Sequence, residues 1–311
     1  MGMCTISPSG LTVSSSLQLG NPAGVAWNLA EGLSERGCRS TVVELESGTE
    51  QFQAHVRLHI APSTPFPLRL LRFTKIARLA QRSDIVHFHF GIRPFGRYLR
   101  RLCAAPFVVH FHGSDLRDGI SDGYRDLASA EFVSTPDLKR WAPQATWIPN
   151  PCRLPELAPR IASDRLVVGH FPSDLAKKGT SRIVEGIRRV QTEVDFDFQL
   201  CSGVSHEDAL RIMRGCDVVV DQLSGYGVYG MVAVEGMAFG RVVLSSIDPS
   251  YYEGCPVVPV SEENFDKRLL EILADPERRR LIGDEGRTYV RMVHDPRRVA
   301  EIVLGQYARI G

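Results

Sequence analysis

Short apolar runs alternate along the chain with longer stretches in which apolar residues recur every three or four positions. The short runs have the length and β-branched content of buried strands, and the longer ones have the period of helices packed on one face. In the first half, strands are predicted over 41–45, 56–60, 84–88, 107–111 and 131–134. The clearest helix there is 22–36, where Val25, Leu29 and Leu33 recur at a spacing of four and Gly37 supplies the C-terminal stop. In the second half, strands are predicted over 166–171, 197–201, 217–221, 242–245 and 257–260. Helical patterns fall at 181–193, 207–214, 230–239, 262–274 and 276–291, and the last stretch, 296–310, is a further amphipathic helix. Strands alternating with helices imply βαβ units and parallel sheets.

Four prolines within 149–159 interrupt this alternation near mid-chain, where neither a helix nor a central strand can continue. The expected organisation is therefore a first Rossmann-like domain over 1–151, a second over 152–295, and a last helix, 296–311, packing back on the first. Two doubly wound domains of this kind bind ligands beyond the C-terminal ends of their strands, and here the crevice is expected between the two halves.

Composition narrows the class. With 43% hydrophobic and 23% charged residues, disorder and collagen-like repeats are excluded. No apolar run approaches the roughly 20 residues of a membrane-spanning helix. Seven scattered cysteines without a CxxC pair point to reduced thiols and a cytoplasmic protein. The net charge of +1 divides into +5 over 1–155 and −4 over 156–311, so an anionic partner is expected on the first half. The stretch 65–82 sets Leu68, Leu71, Ile76 and Leu79 among Arg69, Arg72, Lys75, Arg78 and Arg82. Its leucines and isoleucine are expected to pack inward and its bases to form a stripe that rests on the inner face of an anionic membrane. No recognition helix or aromatic-studded basic sheet suggests nucleic acid. His87 and His89 alternate on a strand and share a face, but no third ligand lies near them in the sequence, so no metal site is expected.

The candidate chemistry concentrates in 217–243. An apolar strand ends at Asp221, a loop carrying Gly225, Gly227 and Gly230 follows, and a helix begins near Gly230. A glycine-rich loop feeding a helix N-terminus offers backbone N–H groups to an anion. Glu235, in the second turn, has the chemistry to accept hydrogen bonds from two neighbouring hydroxyls, and equally that of an ordinary helix acid.

Five segments, in order over about residues 20–245, resemble the family-four glycosyltransferases of the GT-B fold. They are Asp84-Ile-Val-His-Phe-His, His110-Phe-His-Gly-Ser-Asp-Leu-Arg117, Ile148-Pro-Asn-Pro151, His170-Phe-Pro-Ser-Asp-Leu-Ala-Lys-Lys-Gly-Thr180 and the Tyr229-Gly-x4-Glu235-Gly-Met-Ala-x-Gly-x-Val-Val block. The resemblance implies sugar transfer with retention from a nucleotide-diphosphate donor to a hydroxyl acceptor, with no cofactor and no obligatory metal. By the same correspondence, Glu235 holds the donor ribose and Lys178 its diphosphate. His112 is the catalytic histidine near the donor sugar, and Gly20 opens the loop that passes the diphosphate. Ser173, Gly227, Tyr229, Gly230 and Met231 complete the expected donor site, with Asn21 and Asp115 as further substrate contacts.

The chain departs from that family at three places. Gly227 stands where the family has a glutamate eight residues before Glu235, and Ser173 where it has an arginine. Asn21 and Gly24 replace a second glycine and an arginine. The alternatives are thus a variant donor pocket, a non-catalytic nucleotide-sugar-binding or partner protein, and, less in keeping with the residues, a nucleotide-sugar epimerase.

Overall fold

The computed structural model describes residues 13–45, 52–58, 63–90, 95–119, 122–153 and 165–310. The chain forms two compact units, Met1–Pro151 with Pro296–Gly311, and Cys152–Asp295.

The first unit is built in chain order from β1 (Ser15–Leu19), α1 (Val25–Glu35), β2 (Arg39–Glu44), β3 (Val56–Arg57), α2 (Phe66–Ala80), β4 (Ile85–His89), α3 (Gly96–Leu102), β5 (Phe107–Phe111), α4 (Ser114–Arg117), β6 (Ala130–Val133) and β7 (Thr146–Trp147). All seven strands are parallel, in the order β3-β2-β1-β4-β5-β6-β7. The predicted strand over 56–60 is Val56–Arg57, and its last two positions lie outside the described residues. The inner strand β1 has no counterpart in the sequence reading, because Ser-Ser-Leu-Gln-Leu lacks β-branched residues. It is nonetheless buried throughout. Leu17 and Leu19 join Val86, Phe88, Phe107, Val109 and Phe111 in one core layer. The opposite face of the same strands carries Ser16, Gln18, His87, His89 and His110, all buried. The two-residue period of a strand makes one sheet apolar on one side and polar on the other.

The second unit follows with β8 (Val167–His170), α5 (Thr180–Val190), β9 (Asp197–Leu200), α6 (His206–Met213), β10 (Val218–Gln222), α7 (Met231–Ala238), β11 (Val242–Ser245), β12 (Val258–Pro259), α8 (Phe265–Ala274) and α9 (Pro276–Val293). Its five strands are also parallel, in the order β12-β11-β10-β8-β9. Val168, Val218, Val220, Val242 and Leu244 pack with Ile183, Ile187, Phe265 and Leu269.

The chain closes with α10 (Pro296–Tyr307), which belongs to the first unit. Val299, Ala300, Val303 and Tyr307 share a core with Leu29 and Leu33 of α1. At Gly32 a Cβ would stand 2.1 Å from the Pro296 carbonyl oxygen, so only glycine permits this approach.

Strand order reverses between β1 and β4 in the first unit and between β8 and β10 in the second. At such switch points the loops diverge and leave a crevice outside the strand ends. No helix among the described residues is long and apolar enough to cross a membrane. On α2, Ile76, Ala77 and Ala80 are buried, but Leu68 and Leu71 are exposed, contrary to the expected inward packing.

Candidate functional site

At the switch point of the second unit, Asp221 ends the apolar run of β10 with its side chain fully buried. One carboxylate oxygen accepts from Lys178 Nζ at 2.8 Å. The other accepts from the Gly230 backbone N–H at 2.9 Å and from the Ser245 hydroxyl at 3.3 Å. The Gln222 amide oxygen accepts a second Lys178 bond at 2.8 Å, while its nitrogen donates to the Val228 carbonyl. An ammonium has three N–H groups, and the third has no partner among the described residues. Gly230 is the N-cap of α7, and a Cβ there would lie 3.0 Å from Lys178 Nζ. The lysine charge therefore stands beside a helix N-terminus whose Met231 and Val232 N–H groups are also unpartnered among the described residues. Fixed positive charge and open N–H groups together make an anion site.

Glu235 lies one helical turn beyond Met231, on the same face. Its carboxylate accepts from His206 Nε2 at 2.7 Å. That hydrogen bond holds the His206 pKa above the ordinary histidine value, against partial burial. His206 opens α6, behind a Ser205 cap, and nothing in its sequence surroundings singles it out. Beside this pair, the buried Cys152 thiol is pushed up by burial first and by the Glu235 charge second.

Other residues of the expected donor site fare differently. The Tyr229 side chain is buried, with its hydroxyl 2.9 Å from His294 Nε2 and 3.2 Å from the Tyr289 hydroxyl. It supports the loop from within. Gly227 has φ +73°, and a Cβ there would stand 3.1 Å from that of Asp248. The backbone at 227 thus disfavours any side chain, so a glutamate could not simply be restored there. Ser173 is exposed just after β8.

At the switch point of the first unit, Gly20 follows β1 with φ +92° and lies against the His89 carbonyl, 3.1 Å from where a Cβ would be. Ala23, with φ 49°, and Gly24 continue this tight loop into α1. Asn21 is buried and spent inside it, donating to the Gln53 carbonyl at 2.8 Å and accepting from the Trp27 N–H at 3.0 Å. Asp115 is likewise buried, accepting from the His112 and Gly113 backbone N–H groups at 3.0 and 2.8 Å. Burial raises its pKa despite those bonds. Both side chains hold their own loops.

His112 is partly buried at the end of β5, and burial holds its pKa near 3. Its Nε2 lies 2.9 Å from His89 Nδ1. The third histidine that linear spacing did not supply comes from β5, where His110 pairs in register with His89. Ligand atoms of His87, His89 and His110 lie within 4.8 Å of one another. The His87 and His89 rings stack at 4.5 Å with only 12° between their planes, so their lone pairs run side by side rather than converging.

Residues 23–147 match the sequence model of Glycosyltransferase Family 4. No curated protein resembles the chain in sequence. Among solved structures, HepE of Anabaena in complex with UDP and glucose has a TM-score of 0.68 and 14% identity, over 95% of this chain and 100% of its own. A glycosyltransferase from Rickettsia africae gives 0.69 and 13%, over 96% and 98%. AviGT4, a glycosyltransferase involved in avilamycin A biosynthesis, gives 0.57 and 17%, over 95% and 97%. At these identities the likeness is one of fold. This chain has the GT-B architecture of two Rossmann-like domains, each with a parallel sheet.

Proposed function

We propose that the chain transfers a sugar, with retention, from a nucleotide-diphosphate donor to a hydroxyl acceptor, without an obligatory metal or cofactor. The observation that carries this reading is the Lys178 ammonium beside the N-terminus of α7, one turn from the Glu235 carboxylate. A diphosphate needs cationic and N–H donors, and a ribose needs an acceptor for two hydroxyls; the second unit carries both on one helix end. In the transfer step the departing diphosphate gathers negative charge. The third Lys178 N–H and the Met231 and Val232 N–H groups are fixed before the reaction and stabilise that charge without reorganising. Gly20 lets the first-unit loop run close to its ligand, and His112 acts on the sugar. UDP is the favoured nucleotide, since HepE holds UDP and glucose on the same fold.

A panel of UDP, GDP, ADP and dTDP in thermal-shift measurements tests this. A nucleotide at 100 times its dissociation constant adds about 2.7 kcal/mol, enough to raise the midpoint by several degrees. UDP is expected to give the shift. A shift with another nucleotide alone overturns the base assignment, and none with any of them overturns the donor site. A second reading, nucleotide-sugar binding without turnover, is favoured by the glycine-specific backbone at 227. It predicts the UDP shift with no release of free UDP from UDP-sugars.

The acceptor side is read from α2. Phe66, Leu70 and Leu71 are 68%, 51% and 66% exposed among Arg69, Arg72, Lys75 and Arg78, and the helix holds no acid. Exposed apolar side chains flanked by bases suit the headgroup region of an anionic bilayer, at about 1 kcal/mol per base near the surface. The protein is therefore read as a cytoplasmic one that rests on the inner membrane face. It should sediment with phosphatidylglycerol vesicles and not with phosphatidylcholine ones, and Leu70→Glu with Leu71→Glu should release it. Equal sedimentation with both lipids sinks the idea.

A further inference from the structure

We propose that Gln18 and His89 are positioning residues for His112: they keep its Nε2 protonated, so that Nδ1 presents a lone pair and the group it meets is a hydroxyl rather than a phosphate oxygen. This rests on the reading that His112 acts on the donor sugar.

The inference follows hydrogen by hydrogen from the buried polar face of the first sheet. Gln18 is fully buried in β1. Its amide nitrogen donates to the Ser16 hydroxyl at 3.0 Å and to the Tyr307 hydroxyl of α10 at 3.3 Å. Ser16 is itself hydrogen-bonded to Ser40 of β2. The amide oxygen faces His89 Nε2, at 3.0 Å. A carbonyl oxygen only accepts, so the His89 Nε2 carries a proton. Burial keeps the His89 ring neutral, with the neighbouring His87 and His112 acting in the same sense. A neutral imidazole holds one proton, so His89 Nδ1 is bare and must accept. Its partner at 2.9 Å is His112 Nε2, which therefore donates. His112 is neutral as well, which leaves its Nδ1 with a lone pair and no partner among the described residues.

The substrate consequence is a matter of donors and acceptors. A phosphate oxygen at neutral pH has no proton to give and would face that lone pair unfavourably. A sugar or acceptor hydroxyl has one. The relay also explains two sequence features that packing alone does not. One is a glutamine in the centre of a parallel sheet, and the other is a tyrosine at the end of the returning helix. The Tyr307 hydroxyl lies 3.3 Å from the Gln18 amide nitrogen and 2.6 Å from His87 Nδ1, so it bridges the glutamine to the histidine face.

The deciding measurement is the two-bond proton–nitrogen correlation spectrum of the full-length protein carrying nitrogen-15 histidine, with His112→Ala assigning its resonance. The expected result is His112 in the Nε2–H form in the wild type. Gln18→Met keeps the volume and removes the amide, and it should give a mixture of the two tautomers. If Gln18→Met does not fold, Tyr307→Phe, which deletes only one oxygen, should show the same loss of a uniform tautomer. His112 found as Nδ1–H in the wild type, or as Nε2–H unchanged in the folded variant, overturns the relay. The hydroxyl assignment is read separately from binding. His112→Ala should leave UDP affinity within about twofold and abolish any gain of UDP-glucose over UDP. A tenfold or greater loss for UDP itself would assign His112 to phosphate and overturn it. Failure of the wild type to bind either compound would instead refute the donor-site reading, while the tautomer result stands on its own.

Discussion

Asp221→Ala should cost the second unit about 3–5 kcal/mol, the largest stability loss expected from any polar substitution in the site. The carboxylate is fully buried, and it neutralises a lysine whose side chain is only 16% exposed. Removing it strands that ammonium beside a helix N-terminus, where the dipole opposes positive charge. It also deprives the Gly230 N–H and the Ser245 hydroxyl of their acceptor. Urea unfolding followed by circular dichroism measures the loss. The double variant Asp221→Leu with Lys178→Met should recover most of it, because replacing both partners of a buried pair by apolar groups is far less costly than breaking the pair. The same double variant should bind no nucleotide. A loss below about 1 kcal/mol for Asp221→Ala would mean that the pair is solvated and does not organise the loop.

This network shows where the sequence was informative. The glycine-rich loop, the helix start at Gly230 and the position of Glu235 were all legible, because periodicity and glycine placement are local signals. The carboxylate that holds the lysine was visible only as a charge at the end of an apolar strand, and its partner lies 43 residues earlier in the chain. His206 was not legible, since it reaches Glu235 across 29 residues of chain and no spacing encodes that contact. The same reason hid β1. Its serines and glutamine look like a loop until β2, β4 and α10 supply hydrogen-bonding partners for them. Tyr229 has an internal role that its motif does not announce. A tyrosine in a motif suggests contact with a ligand, whereas here its ring and hydroxyl brace the loop from inside. Asn21 and Asp115 hold their own loops, a role that short polar side chains take when they bond nearby backbone groups and that sequence position does not announce.

Glu235→Ala should weaken UDP binding by about 10- to 150-fold, since hydrogen bonds to a charged acceptor contribute about 1.5–3 kcal/mol. Isothermal titration measures it, and Glu235→Gln, which keeps one acceptor oxygen, should fall in between. A change below about threefold would remove Glu235 from the donor site. The variant carries a second signature in its pH dependence. The Glu235 hydrogen bond raises the folded-state pKa of His206, so the protonated form is favoured by folding. That contribution to stability is fully present below the ordinary histidine value of about 6.5 and is lost as pH rises through the raised one. Wild-type stability should therefore decline across that interval, and the decline attributable to His206 should vanish in Glu235→Ala. A wild-type slope that persists in the variant would show that the two side chains are not coupled. Loss of both the affinity and the slope would tie the ribose-binding role and the His206 contact to the same carboxylate, so that a bound ribose and a charged His206 compete for its oxygens.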